Sequence, residues 1–436
     1  MADLTNFLQE INQIVMPAAV AVEAKLEHPP VKFLLVTTHT NQVNGYSKVA
    51  YNMIKELAAN PWITVIHYAT QNLINADIGR KLPATVKVID ASALEKGDKK
   101  TGFALEELVP VIKQEKPDVI FIYNDLSVIC SYIEQIRKGF DQRPFKIWAY
   151  VDTTYAMQPQ AMIDVLNRDV ERIFCFTKSW KESIKSQGIT RPVDVLRHGV
   201  DPSVFKPIPK QLARQMLGLP KDIFLFTSLN KNIPRKRLDL LIMSFVKLIT
   251  RHPLKPIFLL IVANKEGMGY NLFDIFSREL KLTGEPVNVY GDRLMITSSD
   301  TCYKDEDINA LNNCGDAGVS CAEGEGFGLC TFEQMMVGIP QIVPEINGYT
   351  EYCTQDNSLM VKPKMRYYIP YGYNALSGEA QIVDPVDVAN AMEQYVFDEN
   401  VRKLHAAKGL ELTATYSWQK CIAPLVKRLS QVGDMD

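Results

Sequence analysis

Short apolar runs alternate with helix-length amphipathic segments along most of this chain, and that alternation limits the folds it can adopt. In the first half the runs are rich in Val, Ile, Phe and Tyr and show little polar alternation, which is typical of parallel strands covered on both faces. Segments with helical periodicity, such as residues 48–58 and 105–114, lie between them. Repeated βαβ units predict a doubly wound parallel sheet. The predicted strands are residues 33–37, 64–68, 86–89, 119–123, 147–151, 173–177 and 193–196.

A proline-marked stretch, residues 202–220, reads as a linker to a second βα series. The strands predicted there are residues 224–229, 258–263, 287–291, 317–321, 341–343 and 359–361. The sequence therefore predicts an α/β fold with two Rossmann-like domains facing a central cleft, where ligands bind outside the carboxyl ends of the strands. The first domain covers residues 31–205 and the second begins at residue 206. Residues 1–30 are expected to form a helical appendage.

Composition excludes several classes of protein. The net charge of −2 over 436 residues gives no support for bulk nucleic-acid or anionic-membrane binding. No apolar run approaches the roughly 20 residues of a membrane-spanning helix, and the N-terminus lacks the basic start of a secretory signal. The eight cysteines form no C-x-x-C pair, so we expect reduced, mostly buried thiols, no zinc site and a cytoplasmic protein.

A glycine-rich turn, GFGL, carries a carboxylate on each side. Glu325 and Glu333 flank it with seven residues between them, and it joins the predicted strand 317–321 to a helical run from Leu329 to Val337. Free N–H groups at a helix start attract phosphate. A carboxylate at each end suits a ligand with hydroxyls on both sides of a diphosphate, which a nucleotide sugar provides. Alternatively, Glu325 only complements the helix dipole and Glu333 faces solvent.

A basic cluster follows the first strand of the second domain, in the sequence LNKNIPRKRLD. Lys231, Arg235, Lys236 and Arg237 stand at the carboxyl end of the strand 224–229, where cations can clamp a diphosphate and neutralise a departing nucleoside diphosphate. The alternative is a solvated helix start. Because cations oppose the dipole at a helix N-terminus, the functional interpretation is favoured.

Polar residues also follow strands of the first domain. Asn44-Gly45 gives a tight turn that either reaches a phosphate or is an ordinary βα turn. Asp125 and Asp152 end predicted strands, where they either orient an acceptor hydroxyl and take its proton or cap the next helix. His39 is a weaker ligand contact, and His198 reads as a structural turn histidine.

The sequence as a whole resembles the retaining glycosyltransferases of the GT-B fold, sequence family four (group 1 type), over about residues 31–430. Four segments carry the resemblance: SCAEGEGFGLCTFEQMMVGIPQIV, RKRLDLLI, VLRHGVDPSVFKP and TYSW. By this resemblance the second domain ends at residue 415, and residues 416–436 form a helix that crosses back to the first domain. NxNxPRKRLD and YNDL are also similar to segments of glycosyltransferases from large DNA viruses, for which the host cytoplasm is the expected location.

The resemblance implies a role for each matching residue. Glu325 would meet hydroxyls of the donor sugar and support positive charge at its anomeric carbon, while Glu333 would bind the ribose. Lys236, with Arg235 or Lys231, would pair with the phosphates. The remaining donor contacts would come from the GFGL turn, the first loop and the segment that meets the base: Gly326, Phe327, Gly328, Leu329, Gly45, Tyr46 and Met295.

One position departs from the pattern of the family. The family often has a histidine after the fifth strand of the first domain, and this chain has Asp152 there. The resemblance implies hexose transfer, with retention, from a UDP- or GDP-linked sugar to a glycan, lipid or protein hydroxyl, without a metal or other cofactor. The alternatives are an epimerase or phosphorylase of the same fold, or a silent nucleotide-sugar-binding scaffold.

Overall fold

The computed structural model describes residues 28–72, 78–96, 100–263, 269–297, 303–370 and 377–432. Most of the predicted N-terminal appendage, Cys302, and Tyr371 and Tyr373 of the tyrosine-rich segment 365–380 lie outside these residues. Among the residues that the structure describes, no helix combines the length and the apolar character needed to cross a membrane.

The first half of the chain forms a parallel sheet with the order β3-β2-β1-β4-β5-β6-β7. Most positions of its central strands are buried on both faces of the sheet, and many of them are occupied by Val, Ile and Phe. The strands are β1 Val31–Thr38, β2 Ile63–Thr70, β3 Lys87–Asp90, β4 Val119–Asp125, β5 Lys146–Asp152, β6 Arg172–Cys175 and β7 Val193–Val195. The helices are Gly45–Ala58, Ala91–Leu94, Leu108–Glu115, Leu126–Gly139, Gln160–Asp169 and Lys178–Ser186.

The second half forms another parallel sheet, ordered β10-β9-β8-β11-β12-β13. Its strands are β8 Phe224–Leu229, β9 Ile257–Val262, β10 Leu294–Ile296, β11 Ala317–Val319, β12 Gln341–Pro344 and β13 Ser358–Val361. Its helices are Lys210–Met216, Leu238–Arg251, Leu272–Leu282, Val287–Tyr290, Asp305–Asn313, Leu329–Met336, Pro385–Phe397 and Glu399–Thr413. The predicted fold class, two Rossmann-like doubly wound sheets, is confirmed.

One predicted strand was wrong. Residues 287–291 were predicted as a strand, but Val287–Tyr290 is a helical turn that begins after Pro286, and the strand follows at Leu294–Ile296. Tyr290 is buried whereas Val289 is 56% exposed. A four-residue apolar run cannot distinguish a strand from a helical turn by periodicity.

A hairpin adds to the second half. Strands β14 Met365–Ile369 and β15 Gly378–Ile382 pair antiparallel, and Glu379 forms a bridge with Ala156 of the first half. From the sequence, the tyrosine-rich segment 365–380 is interpreted as a surface feature or as an acceptor or partner contact. The structure therefore gives this segment a contact between the two halves.

The last helix, Trp418–Ser430, packs on the first-half helix Gly45–Ala58. Ser417 pairs with Val200 just before this helix, and the Arg428 Nε atom lies 2.9 Å from Asp194 Oδ2 near its end. The chain thus returns to the first sheet after completing the second. As a result, both halves share one hydrophobic core cluster.

Candidate active site

The carboxyl ends of the two sheets face a cavity of about 390 Å³. Because parallel strands expose the loops after their carboxyl ends, both sheets contribute these loops to the cavity wall. The first half contributes Val43, Asn44, Gly45, Tyr46, Lys48, Arg80, Tyr123, Asp152, Phe176 and His198. The second half contributes residues 229–231, Ile233, Arg235, Lys236, Val262, Ala263, Thr297, Tyr303, Asp305, Ile308, residues 325–331, Glu333 and Tyr349.

The GFGL turn closes against its neighbours so tightly that two of its positions require glycine. Gly328 has φ of 89°, and a Cβ atom there would lie 2.6 Å from Tyr349. A Cβ atom on Gly326 would lie 2.2 Å from Asp152 Oδ1 across the cleft. Gly328 is also the N-cap of the helix Leu329–Met336 and offers no side chain to cap it. The first N–H groups of this helix are therefore open to an anion.

Glu325 forms ion pairs with two cationic side chains. Arg235 Nη1 lies 3.3 Å from Glu325 Oε2, and Lys236 Nζ also forms an ion pair with it. Burial raises the pKa of this carboxyl, but Lys236 and Arg235 outweigh burial and hold the pKa below its usual value. Glu325 is thus an ionised carboxylate on the cavity wall, able to accept hydroxyl hydrogen bonds and support a cationic centre.

The basic cluster divides into two parts. Pro234–Lys236 forms a 3₁₀ turn, after which Arg237 adopts φ of 47° and opens the helix Leu238–Arg251. Arg237 turns away to Asp239 at 2.8 Å, whereas Lys231, Arg235 and Lys236 line the cavity. Burial lowers the pKa of Lys231, and the charges of Arg235 and Lys236 lower it further. Three crowded cations at this wall favour a polyanionic ligand.

Glu333 contacts a cation from the opposite domain. Its side chain is 3% exposed, and its Oε1 atom lies 2.6 Å from Lys48 Nζ. Burial raises the pKa of Glu333, and Lys48 offsets only part of that rise. Lys48 also lies 3.7 Å from Asp305 Oδ1, and Arg80 Nη2 lies 3.1 Å from the same oxygen. Two first-half cations therefore meet two second-half carboxylates across the cleft.

Sequence reasoning missed Lys48, Arg80 and Asp305. The only available signal was that Lys48 lies three residues after Gly45, inside a helix opened by the N-cap Asn44. Such a position places its side chain near the loop that lines the cleft. Nothing in the sequence indicated its partner, because Glu333 is 285 residues away.

Asp152 and Asp125 lie side by side at the ends of β5 and β4, in direct register. The Tyr46 hydroxyl lies 2.8 Å from Asp152 Oδ2 and 2.9 Å from Asp125 Oδ1. Asp152 lines the cavity, and Asp125 stands behind it without lining the cavity itself. Burial and then the charge of Asp125 raise the pKa of Asp152 to about 7. Both candidate carboxylates are thus brought together through Tyr46.

His198 lies at the cavity wall rather than only in a turn. Its ring is 4.3 Å from that of Phe176 and 4.8 Å from that of Phe327, measured between centroids. Neither ring nitrogen has a hydrogen-bond partner among the described residues. Burial lowers its pKa to about 3, so the ring is neutral.

Besides Asp125, two other predicted site residues do not line the cavity. Met295 is part of strand β10, and its side chain packs in the apolar cluster around Leu260 and Leu311. Thr297, just after that strand, lines the cavity instead. His39 accepts a hydrogen bond from the Asn41 N–H through Nδ1 and lies beside His67. The incorrect position of the predicted strand explains why Met295 rather than Thr297 was predicted to line the cavity.

The described residues contain no group of three or more His, Cys, Asp or Glu side chains suited to a metal ion. Six of the seven described cysteines are buried and free, and Cys330 is exposed at the cavity wall. The predicted burial is therefore confirmed for all but Cys330, while Cys302 lies outside the described residues.

Comparison with known proteins supports the fold seen here. No protein-family model matches the chain. A D-inositol 3-phosphate glycosyltransferase from Stackebrandtia nassauensis is 27% identical over 232 residues, which are 52% of this chain and 46% of that protein. The chain thus aligns with less than half the length of this curated relative.

Two solved structures match over almost their whole length. Sucrose-phosphate synthase from Thermosynechococcus elongatus has a TM-score of 0.71 at 15% identity, covering 93% of this chain and all of that chain. Anabaena HepE, solved with UDP and glucose, has a TM-score of 0.68 at 14% identity, covering 92% and 100%. This chain has the GT-B fold. At these identities the structural likeness establishes the architecture, and the activity is argued from the site.

Proposed function

We propose that this protein is a retaining glycosyltransferase of family four that transfers a hexose from a UDP-linked donor to an acceptor hydroxyl. The observation that carries the proposal is the pairing of Glu325 and Glu333 on either side of an open helix N-terminus, with the cations Lys231, Arg235 and Lys236 on the same wall. A nucleotide sugar needs this set of partners: at each end a carboxylate that accepts hydrogen bonds from its hydroxyls, and between them positive charge for its diphosphate.

The donor would lie along the second-half wall. The diphosphate meets the N–H groups at the start of Leu329–Met336 together with Lys231 and Lys236. The ribose hydroxyls meet Glu333, and the base enters the side of the cavity lined by Val262 and Thr297. Uridine is proposed because Anabaena HepE, which shares the fold, was solved with UDP and glucose.

The charges around Glu325 suit the transfer step. Arg235 and Lys236 contact this carboxylate directly, so the group that supports the sugar and the cations that hold the leaving phosphate form one array. As the bond from the anomeric carbon to the phosphate lengthens, positive charge grows on the carbon beside Glu325 and negative charge grows on the phosphate beside Lys236. The acceptor oxygen then bonds to the anomeric carbon on the face that the phosphate leaves, while a phosphate oxygen takes the acceptor proton, and attack on that face gives retention.

The acceptor would approach from the first half, past Tyr123, Asp152, Phe176 and His198. A closed cleft limits hydrolysis of the donor by water. Inositol phosphates and hexose phosphates are the first acceptors to test, since the relatives are a D-inositol 3-phosphate glycosyltransferase and a sucrose-phosphate synthase.

The test is nucleoside-diphosphate release from UDP- and GDP-hexoses, with and without these acceptors, followed by NMR assignment of the product anomer. We expect acceptor-dependent UDP release and an unchanged anomeric configuration, lost in Glu325→Gln and kept in the exposed control Glu306→Gln. Binding without turnover would instead indicate a silent nucleotide-sugar-binding protein. A changed nucleotide sugar without UDP release would indicate an epimerase, and turnover that requires orthophosphate would indicate a phosphorylase.

A further inference from the structure

A tyrosine hydroxyl lies between two carboxylates at the first-half wall of the cavity. Tyr46 Oη is 2.8 Å from Asp152 Oδ2 and 2.9 Å from Asp125 Oδ1. A phenol has one proton and can donate only one hydrogen bond, whereas an ionised carboxylate can only accept. Two short contacts to Tyr46 are therefore both satisfied only when one carboxyl carries a proton of its own.

The proton belongs on Asp152 rather than on the phenol or on Asp125. Burial, followed by the charges of Asp125 and Asp152, raises the pKa of Tyr46 well above its usual value, so the phenol keeps its proton. Asp152 is the carboxyl with an unsatisfied oxygen, since its buried Oδ1 atom has no hydrogen-bond partner among the described residues. Two carboxylates in adjacent register cannot both ionise without mutual repulsion.

The unpartnered oxygen of Asp152 is buried against the glycine-rich turn, beside Glu325. Asp152 Oδ1 lies 2.2 Å from the position that a Cβ atom on Gly326 would occupy, and Gly326 directly follows Glu325. When the proton of Asp152 lies on Oδ2 and is donated to Tyr46, Oδ1 remains an acceptor for a hydroxyl of a sugar bound beside the turn. An ionised carboxylate there would repel the departing nucleoside diphosphate.

We propose that Tyr46 and Asp125 are positioning residues that set the protonation of Asp152, with Asp125 keeping a proton on it and Tyr46 sharing that proton, and that protonated Asp152 hydrogen-bonds the substrate in the cavity. The proposal rests on the proposed glycosyl transfer for the identity of that substrate, although the shared proton is a property of the protein alone. Transfer is then fastest when Asp152 is protonated, and it declines as pH rises through the ionisation of the pair.

Every charged group that faces the pair affects this ionisation. Asp125 on β4 favours the protonated form of Asp152, as does Glu325 on the turn. Tyr46 on the helix Gly45–Ala58 and Arg235 on the 3₁₀ turn favour the ionised form. The two positioning residues therefore act with opposite signs, and this opposition distinguishes proton sharing from a purely structural role.

The first readout is infrared titration of the whole protein, which detects the carbonyl band of a protonated carboxyl without requiring activity. We expect a band that persists near neutral pH and is absent in Asp152→Asn. In Asp125→Asn the band should be lost at a pH lower by at least about one unit, because the like charge is gone. In Tyr46→Phe it should persist to higher pH, because the doubly ionised pair loses its donor.

The second readout is the pH profile of kcat/KM for transfer, whose descending limb should move down in Asp125→Asn and up in Tyr46→Phe. Tyr51→Phe on the same helix and Asp141→Asn at an exposed position are the controls, with melting curves verifying that every variant folds. The absence of an Asp152 band, or shifts in the same direction for both variants, would overturn the proposal. Absence of transfer with any donor would instead count against the proposed function, and the infrared titration would still decide the position of the proton.

Discussion

Lys48 Nζ lies 2.6 Å from Glu333 Oε1, and this ion pair joins the helix after the first strand of one domain to the proposed ribose-binding carboxylate of the other. Both side chains are largely enclosed, at 15% and 3% exposure. Removal of Lys48 would therefore leave Glu333 as a buried carboxylate without this cation.

Lys48→Met should weaken donor binding. Without Lys48, burial raises the pKa of Glu333 further, and a protonated carboxyl is a poorer acceptor for the ribose hydroxyls. We expect the Kd for UDP to rise about tenfold, or about 1.4 kcal/mol, and to rise more below neutral pH. Isothermal titration at several pH values measures this. Lys55→Met is the matched control. Lys55 is on the same helix as Lys48, but it lies away from the cavity and pairs with Asp201 at 3.6 Å. Equal UDP affinities for both variants and the wild type would show that Lys48 does not contribute to donor binding.

Glu325→Gln should reduce kcat strongly while leaving the nucleotide bound. The amide keeps the size of the side chain but removes the negative charge that pairs with Arg235 and Lys236. Loss of one such electrostatic contact costs about 10²-fold or more in kcat. Because those two cations become free to hold phosphate, the Kd for UDP should stay constant or fall. Steady-state rates and UDP titration separate the two effects. A variant with wild-type kcat would remove Glu325 from the reaction.

The sequence predicted both sheets because their strands are buried on two faces and therefore read as apolar runs. Local information also revealed the pair Glu325 and Glu333, since both flank one turn. The strand at Leu294–Ile296 was missed because three residues carry too little periodicity, and the apolar residues 287–290 gave a stronger false signal. That error also placed the predicted base contact on Met295, whereas Thr297 is the residue next to this strand that lines the cavity.

Contacts across the cleft were beyond sequence reasoning. Lys48 and Glu333 meet only because both sheets direct their loops to the same cavity, and no spacing rule links positions so far apart. The proximity of Asp125 and Asp152 was easier to predict, because both residues end strands that were correctly predicted as successive elements. Their bridge through Tyr46 required the side-chain geometry.

Stability should fall as pH is lowered from about 6.5. His198 and His67 are buried, and burial lowers the pKa of each to about 3 from an unfolded value of 6.5. Below 6.5 the unfolded chain binds protons that the folded protein does not, so stability is fully present above 6.5 and declines as pH falls toward 3. At pH 5 this costs about 2 kcal/mol for each histidine.

His198→Phe should reduce that loss, because a phenylalanine ring suits a site between Phe176 and Phe327 and does not titrate. Chemical denaturation at pH 7.5 and pH 5 gives the free energies of unfolding. We expect the difference between the two pH values to shrink by about 2 kcal/mol relative to wild type. An unchanged difference would mean that His198 is not buried as a neutral ring in the folded protein.

Gly326→Ala should separate nucleotide binding from transfer. A Cβ atom there would lie 2.2 Å from Asp152 Oδ1 and 3.0 Å from Phe176, so the Asp152 side chain must be displaced to accept it. Since the proposed UDP contacts belong to the second half and Asp152 is not one of them, we expect UDP affinity within about threefold of wild type and kcat lower by about 10²-fold, as even a small misplacement of reacting groups has that cost. Gly291→Ala is the control, because a Cβ atom there meets nothing within 4 Å. UDP titration and steady-state rates measure both quantities, and a Gly326→Ala variant with wild-type kcat would show that the close approach of Asp152 to the turn is not needed for transfer.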